Sequence, residues 1–428
     1  MGEVTGRGRN WILALQHVLV MYSGAVVVPL VVAGGLHLSR ADAAFMVSAD
    51  LFCCGLATIL QSWGPCGLGI RRPVVMAATF ASASPMIAIG SDPARGLAYV
   101  FGGHLVAGIA GLLLAPLIGR LLRFFPPLVT GAVIASIGLT LLGVAVQWAA
   151  GGAAAPDYAA PVHLGLAGLV LVFILSVMRY GRGFVAHIGV LLGLVVGVAA
   201  ASLVGAMDWS GLANAPWLAG IAPFHFGRPR FDLWSSLTMC IVLCIVFVES
   251  TGMFLALGEI VGRPVNDRDL IRGLRVDAVG SLLGGIFNAF PDTSYSQNIG
   301  LVSLTGVRSR KICIGAGVIL AALGLMPRLS LLVAAIPPSV LGGAGLVMFG
   351  LVTAHGIRVL GRVDFHTRPH NLLIVAVSLG LAMVPVVSAH FFDHMPAALT
   401  PLLHSGIVLA TVAAVVLNAW FNGPQREA

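Results

Sequence analysis

Charge is what this chain has least of. Asp, Glu, Lys and Arg together make up 9% of its 428 residues, against 58% hydrophobic ones. A soluble domain carries about 25% charged residues. A chain this poor in charge cannot cover a globule with solvated surface, which excludes a water-soluble enzyme or scaffold. Mean hydropathy is +0.99, and the expected cause is a series of apolar runs of about 20 residues, the length that crosses the hydrocarbon core. One membrane domain is expected rather than several soluble ones.

Cysteine is scarce as well. Cys53, Cys54, Cys66, Cys240, Cys244 and Cys313 lie mostly inside apolar segments and form no CxxC pair. That spacing excludes a disulfide or zinc framework and reads as small packing residues; no metal and no cofactor is expected. A basic stripe is missing too. The pI is about 9.7, but the basic residues stand singly or in pairs at the ends of apolar segments, which is a topology signal and not a phosphate-binding surface. No nucleic-acid partner is expected. Met1 to Asn10 is short, polar and basic, and the first apolar stretch runs on to full span length, so no cleavable signal is expected.

What the chain does have is apolar segments, beginning near Trp11, Ala43, Pro73, Gly96, Pro126, Pro161, Gly183, Leu233, Leu274, Thr293, Lys311, Leu329, Asn371 and Pro396. This predicts 14 crossings. Connections are short except for Met207–Asp232, which holds Trp209, Pro216, Trp217, Pro223 and Pro229 and splits the chain near its middle. With the N-terminus inside and every segment crossing, 19 of the 24 Lys and Arg residues fall inside; only Arg40, Arg95, Arg228, Arg230 and Arg328 fall outside. One missed crossing would invert everything after it, so this bias supports the count and places both termini in the cytoplasm. Seven segments on each side of the long loop force the halves into opposite orientations, so any repeat between them is inverted. The sequence echo is faint. Tyr22-Ser23-Gly24 resembles Ser250-Thr251-Gly252, and Thr79-Phe80-Ala81-Ser82 resembles Ser294-Tyr295-Ser296-Gln297.

An ionisable side chain at mid-span is costly, so each needs a partner or a task. The candidates are His17, Asp50, His104, Glu249, Asp277 and Asp292. Glu249 follows an apolar run from Ile241 to Val248. A carboxylate there can accept two hydrogen bonds from a ligand with adjacent N–H groups, or it can be a packing glutamate satisfied by a neighbouring hydroxyl. Asp277 is either a proton-carrying carboxyl or the interfacial end of the basic run Arg263, Arg268, Arg272 and Arg275. His17, beside Gln16, and His104, among Gly102, Gly103 and Gly108, read first as hydrogen-bonded packing residues. Asp50 has no evident task.

The tenth segment, from Phe290-Pro291-Asp292 through Gly306, starts too polar for a lipid-facing helix. Irregular backbone at membrane depth is tolerated where protein shields it or a cavity adjoins it. An extended piece around Tyr295 followed by a half-helix would aim free N–H groups and a positive dipole end at a ligand. Gln297 and Asn298 would offer both donors and acceptors there. A re-entrant structural loop is the alternative.

Gln297-Asn298-x-Gly300-x4-Thr305-Gly306 resembles the signature of the nucleobase–ascorbate transporter family. Gln16-His17, Thr79-Phe80-Ala81, Glu249-Ser250-Thr251-Gly252 and Asp277 match in the same order, over about Trp11 to Trp420. The resemblance implies an all-α polytopic membrane protein of 14 spans in two inverted seven-span repeats, with short antiparallel strands in segments 3 and 10. It implies a core domain (11–124 and 233–327), a gate domain (125–206 and 328–421) that also forms a homodimer, and an extracytoplasmic loop (207–232). It further implies that Glu249 and Gln297 hydrogen-bond the base, that Thr79 and Phe80 supply backbone contacts, that Tyr295 flanks the ring and that Asn298 shapes the site. Asp277, with His17 and Glu249, would serve proton coupling. Purine-type members resemble this chain in having Gln at position 297, where uracil-type members have Glu. The implied activity is therefore proton-coupled import of xanthine or uric acid across the inner membrane. Asp292, Asp50 and Ser84 depart from the family pattern. The competing readings are a uracil or other nucleobase symporter, and an anion exchanger or channel on the same fold. A membrane enzyme has no nucleophile–base pair to support it.

Overall fold

The computed structural model describes residues 7–153, 155–306 and 308–423. Met1 to Gly6, part of the stretch read for a signal, and Arg426, counted in the charge bias, lie outside them. The helices are α1 (Arg7–Gly35), α2 (Arg40–Trp63), α3 (Ala83–Gly90), α4 (Leu97–Leu114), α5 (Pro127–Ala149), α6 (Pro161–Tyr180) and α7 (Gly189–Leu203), then α8 (Leu233–Val261) and α9 (Asp267–Phe287). They continue as α10 (Ser296–Thr305), α11 (Arg310–Gly324), α12 (Pro338–Leu360), α13 (His370–Val387) and α14 (Gly406–Asn422). Short helical turns fill several of the connections. Two strands, β1 (Met76–Ala78) and β2 (Asp292–Ser294), interrupt the helical pattern.

Among the described residues, eight helices are long and apolar enough to cross a bilayer, or ten if two bent pairs each count as one span. Those pairs are α11 with the short helix Pro327–Ala334, bent by 78°, and the short helical stretch Ala397–Leu403 with α14, bent by 80°. The remaining apolar segments fall short for local reasons. α7 has 15 residues, α3 and α10 have 8 and 10 because strands take up the rest of their segments, and α9 opens on a charged turn holding Asp267, Arg268 and Asp269.

The caps explain where the helices of the second half begin and end. The Asp232 carboxylate accepts from the N–H of Trp234 (3.1 Å) and of Ser235 (3.2 Å) to start α8, and Gly262 ends it in the left-handed region. Asn266 accepts from the Asp269 N–H (2.9 Å) to start α9, and Asn288 ends it at φ 59°. Asn tolerates that conformation better than most residues, and it turns the chain directly into Phe290-Pro291 and β2.

Helix packing falls into two sets. α2 packs on α11 and α9, α4 on α8 and α9, and α1 on α2 and α11; separately, α12 packs on α5 and α6, α14 on α13 and α5, and α7 on α6. Lipid supplies no hydrophobic drive between helices, so close backbone approach at small residues does the work. A Cβ added to Gly55 of α2 would lie 2.4 Å from the backbone N of Ala321 in α11. In the second set, a Cβ on Gly356 of α12 would lie 2.3 Å from the backbone N of Ala135 in α5.

The long mid-chain loop is tied down over the first set. Arg40 pairs with Asp208 at 2.8 Å, the His225 ring stacks on Phe45 at 3.9 Å between centroids, the Phe224 N–H donates to the Ile286 carbonyl (2.8 Å), and the Arg230 N–H to that of Ala98 (3.0 Å). Hydrogen bonds from the Ser210 N–H and hydroxyl, then the Arg40 charge, hold the Asp208 carboxyl below its ordinary range.

Candidate functional site

The site is built where the two strands meet. Pro73 and Pro291 precede β1 and β2, and proline biases the residue before it toward extended backbone. The strands pair antiparallel in the register Met76–Ser294, Ala77–Thr293 and Ala78–Asp292, flanked by bonds from the Thr79 N–H to the Pro291 carbonyl and from the Tyr295 N–H to the Val75 carbonyl, both 3.0 Å. Each strand runs into a helix, so the N-terminal ends of α3 and α10 both lie beside the strand pair. Their unpaired N–H groups and dipoles make that end of each helix electropositive.

Glu249 reaches this place from the middle of α8, half-buried. Its Oε2 accepts from the Thr79 hydroxyl at 3.2 Å, while the Thr79 oxygen accepts from the Ala81 N–H, also at 3.2 Å. Ser250 closes the other side: its hydroxyl accepts from the Ser294 N–H (3.2 Å) and shares a 3.3 Å hydrogen bond with Thr293. The carboxyl is thereby fixed at the end of the strand pair, with the Thr79 and Thr293 hydroxyls beside it. A cavity of about 10 Å³ beside it is lined by Thr130, Val133, Ile134, Ile245 and Val248. That is room for roughly one water.

The other candidate residues are distributed around this centre. His17 of α1 is buried, and its Nδ1 lies 2.9 Å from Oδ1 of Asn298. An amide oxygen only accepts, so Nδ1 is the donor. The Asn298 Nδ2 is buried without a partner among the described residues. The Tyr295 ring lies against Gly24 of α1, where an added Cβ would stand 1.8 Å from the phenol oxygen. Phe80 meets Phe349 of α12 edge to face at 5.6 Å between centroids, bridging the two helix sets. Asp277 is fully buried on α9, with Gln61 Nε2 3.4 Å from its Oδ1 and no partner at Oδ2. Gln297 is not brought to Glu249 by any hydrogen bond. It is exposed at the first turn of α10, and its Oε1 accepts from the Ser296 hydroxyl (2.9 Å). His104 is fully buried with both ring nitrogens unpartnered among the described residues.

Two participants went unnoticed in the sequence. Gln61 ties the strand end to α9: its Oε1 accepts from the Ile70 N–H (3.0 Å), and its Nε2 donates to the Gly273 carbonyl (3.1 Å) as well as facing Asp277. A lone amide in an apolar span was the available signal. Thr293, hidden in a run of small polar residues, offered none.

A helical membrane bundle with broken segments meeting at a buried carboxyl defines a transport protein, a carrier rather than an enzyme. The comparisons identify which kind. The permease family profile matches residues 8–391, and the chain belongs to that family, the nucleobase transporters whose signature it carries. It is 56% identical over 427 residues to the uric acid transporter UacT of Escherichia coli, covering 100% of this chain and 89% of that one. It is 43% identical over 417 residues to the xanthine permease of Bacillus subtilis, covering 97% and 94%. Among solved structures, the transmembrane domain of the cyanobacterial bicarbonate transporter BicA superposes with a TM-score of 0.66 at 16% identity, over 96% of this chain and 98% of that one. At that identity the likeness concerns the fold.

Proposed function

We propose that this protein is a proton-coupled symporter that imports a purine base, xanthine or uric acid, across the inner membrane by alternating access. The observation that carries the reading is Glu249, held by Thr79 at the end of the strand pair where two half-helices begin. A carboxylate so placed suits adjacent N–H groups on a heterocycle and opposes an anion, which argues against an exchanger on the same fold. The names of the two relatives, a uric acid transporter and a xanthine permease, support the cargo.

In this reading all 14 segments cross, in two inverted halves with both termini cytoplasmic. Segments 1–4 and 8–11 (11–124 and 233–327) form the core, and segments 5–7 and 12–14 (125–206 and 328–421) form the gate and a homodimer contact. The loop 207–232 lies outside. The two packing sets support the division, and the two strand–helix segments support the inversion. Glu249 and Gln297 hydrogen-bond the base, Thr79 and Phe80 supply backbone contacts, Tyr295 flanks the ring, and Asn298, oriented by His17, shapes the site. Asp277, with His17 and Glu249, couples the proton. A ligand pocket is typically about 300–1,000 Å³; the cavity beside Glu249 is about 10 Å³. The gate helices must therefore swing away from the core to admit a purine, and Gln297 leaves Ser296 to reach it.

Uptake of labelled xanthine, challenged by urate, uracil, adenine and ascorbate with and without a protonophore, tests this directly. Urate competes, uracil and ascorbate do not, and the protonophore abolishes accumulation. Absence of xanthine and urate uptake, or uptake indifferent to the protonophore, overturns the reading. Gly24→Ala gives a second expected result. Its methyl group displaces the Tyr295 phenol, so the KM for xanthine rises about tenfold, equivalent to ~1.4 kcal/mol, with normal membrane insertion. An unchanged KM removes Tyr295 from the binding surface.

A further inference from the structure

Behind the strand pair lies a second buried group of ionisable residues. Asp50 and Cys54 stand one turn apart on α2, facing Asp292 of β2, and an acidic or thiol atom from each lies within 4.8 Å of the other two. All three are buried, Asp50 at 1% exposure and the others at 0%. The Cys54 sulfur is 3.0 Å from Oδ1 of Asp292 and 3.7 Å from Oδ2 of Asp50. The other oxygens, Asp50 Oδ1 and Asp292 Oδ2, have no hydrogen-bond partner among the described residues, and no ion pair reaches either carboxyl.

Counting hydrogens in this group constrains it. A thiol has one hydrogen. The shorter contact takes it, so Cys54 donates to Asp292. The longer contact, 3.7 Å to Asp50, is then left without that hydrogen, and a proton on one of the two carboxyls would fill it. The same follows from charge: two carboxylates this close, buried and without a cation, cannot both ionise. No positive charge pairs with the cluster among the described residues. Basic residues stand on the packed elements, Arg40 on α2, Arg268, Arg272 and Arg275 on α9, and Arg310 and Lys311 on α11, but none forms an ion pair with Asp50 or Asp292; the other titratable groups on those elements include Cys53, Asp277, His17, Tyr22 and Cys313. A hard cation takes about six to eight oxygens, and this cluster offers two carboxyls and a sulfur.

We propose that Asp50, Cys54 and Asp292 form a proton-binding site distinct from the Glu249 pocket, holding one proton that Cys54 relays between the two carboxyls. In the relay the Asp50 O–H bond breaks as an S–H bond forms, while the original S–H bond breaks and an O–H bond forms on Asp292. The negative charge passes from Asp292 to Asp50, and the total charge is unchanged. Asp292 pairs with Ala78 and immediately precedes Thr293, so its protonation state bears on the strand end that holds Glu249. The site adds a second proton to the transport cycle when that proton is taken up from one side and released to the other; this last step rests on the symport reading above, whereas the proton-binding site itself does not.

Infrared spectroscopy of the purified, substrate-free protein in lipid nanodiscs at neutral pH tests the site. Asp50→Asn removes one protonated-carboxyl carbonyl band. Cys54→Ala removes a hydrogen-bonded S–H band and shifts that same carbonyl band, and Glu249→Gln leaves the S–H band in place. In proteoliposomes, Asp50→Asn lowers by one the number of protons entering per purine. Carbonyl bands identical in wild type, Asp50→Asn and Cys54→Ala overturn the proposal, as does one metal ion per chain that copurifies with wild type and is lost in Asp50→Asn. An unchanged proton count per purine overturns the role in transport. If Asp50→Asn does not insert, Cys54→Ala, which only removes a sulfur, decides the question. Because the infrared reading needs neither substrate nor gradient, it still answers if purine uptake proves independent of protons.

Discussion

Glu249→Gln lowers xanthine and urate uptake at least about 100-fold while the protein still inserts and folds. The expectation follows from what the substitution keeps and what it removes. Glutamine has nearly the same shape, and its amide can still meet the freely rotating Thr79 hydroxyl, which lies 3.2 Å from the carboxyl oxygen, so the local hydrogen bond survives. What disappears is a charged acceptor with two equivalent oxygens. In its place stand one oxygen and an NH₂ group that points hydrogen at hydrogen against a base presenting adjacent N–H groups. Truncating one partner of a buried, charge-assisted pair costs about 2–5 kcal/mol, and about 1.4 kcal/mol is a factor of ten. Glu249→Asp keeps the charge but withdraws it by about one methylene, and it retains more uptake than Gln while raising KM. Uptake at the wild-type level in Glu249→Gln removes this residue from the binding site. Membrane insertion is checked in parallel by the amount and monodispersity of the purified variant.

The legibility of the chain divides along physical lines. Its class was plain from composition, because a bilayer leaves no freedom in how much apolar sequence a span needs. Family followed from a short polar motif and four further matches in the same order, cargo class from Gln297 within that motif, and the comparisons agree with both. The number of crossings was harder to read. Among the described residues, eight segments are continuous apolar helices of spanning length, and two more are bent pairs. The third and tenth segments divide into strand and short helix, and the ninth spends its first turn on charge. Individual side chains were singled out where their own chemistry stood out, as with Glu249 after an apolar run; Asp277, next to a basic run, was left open between two readings, and the structure buries it. Pairings were not: neither the His17–Asn298 bond, across 281 positions of sequence, nor the Cys54–Asp292 contact, across 238, leaves a trace in local pattern. Gln297 shows the converse. Its motif was the clearest signal in the sequence, yet in this state of the protein its side chain bonds to its own neighbour Ser296 rather than facing Glu249.

Asp277→Asn abolishes accumulation of purine against its gradient and spares binding. The carboxyl is enclosed by α9 and α2, with Gln61 3.4 Å from one oxygen and the other oxygen without a partner, and no cation pairs with it among the described residues. An ionised Asp277 would leave an almost unsolvated negative charge at membrane depth; a protonated one is neutral, and the difference is one proton gained or lost as the site opens to either side. Asparagine keeps the size and the hydrogen-bonding outline but cannot exchange a proton, so in the proposed symport cycle the carrier loses the step that would tie its reorientation to the gradient. Proteoliposomes with an imposed pH gradient separate the two quantities. In wild type the internal xanthine concentration exceeds the external one, and a protonophore collapses the excess. In Asp277→Asn the internal concentration only reaches the external one and ignores the protonophore, while counterflow of labelled against unlabelled xanthine continues and the binding affinity stays within about threefold, less than ~1 kcal/mol. A variant that still concentrates xanthine would make Asp277 a packing residue whose partner is Gln61. A variant that loses binding together with accumulation would place it with Glu249 in the pocket instead.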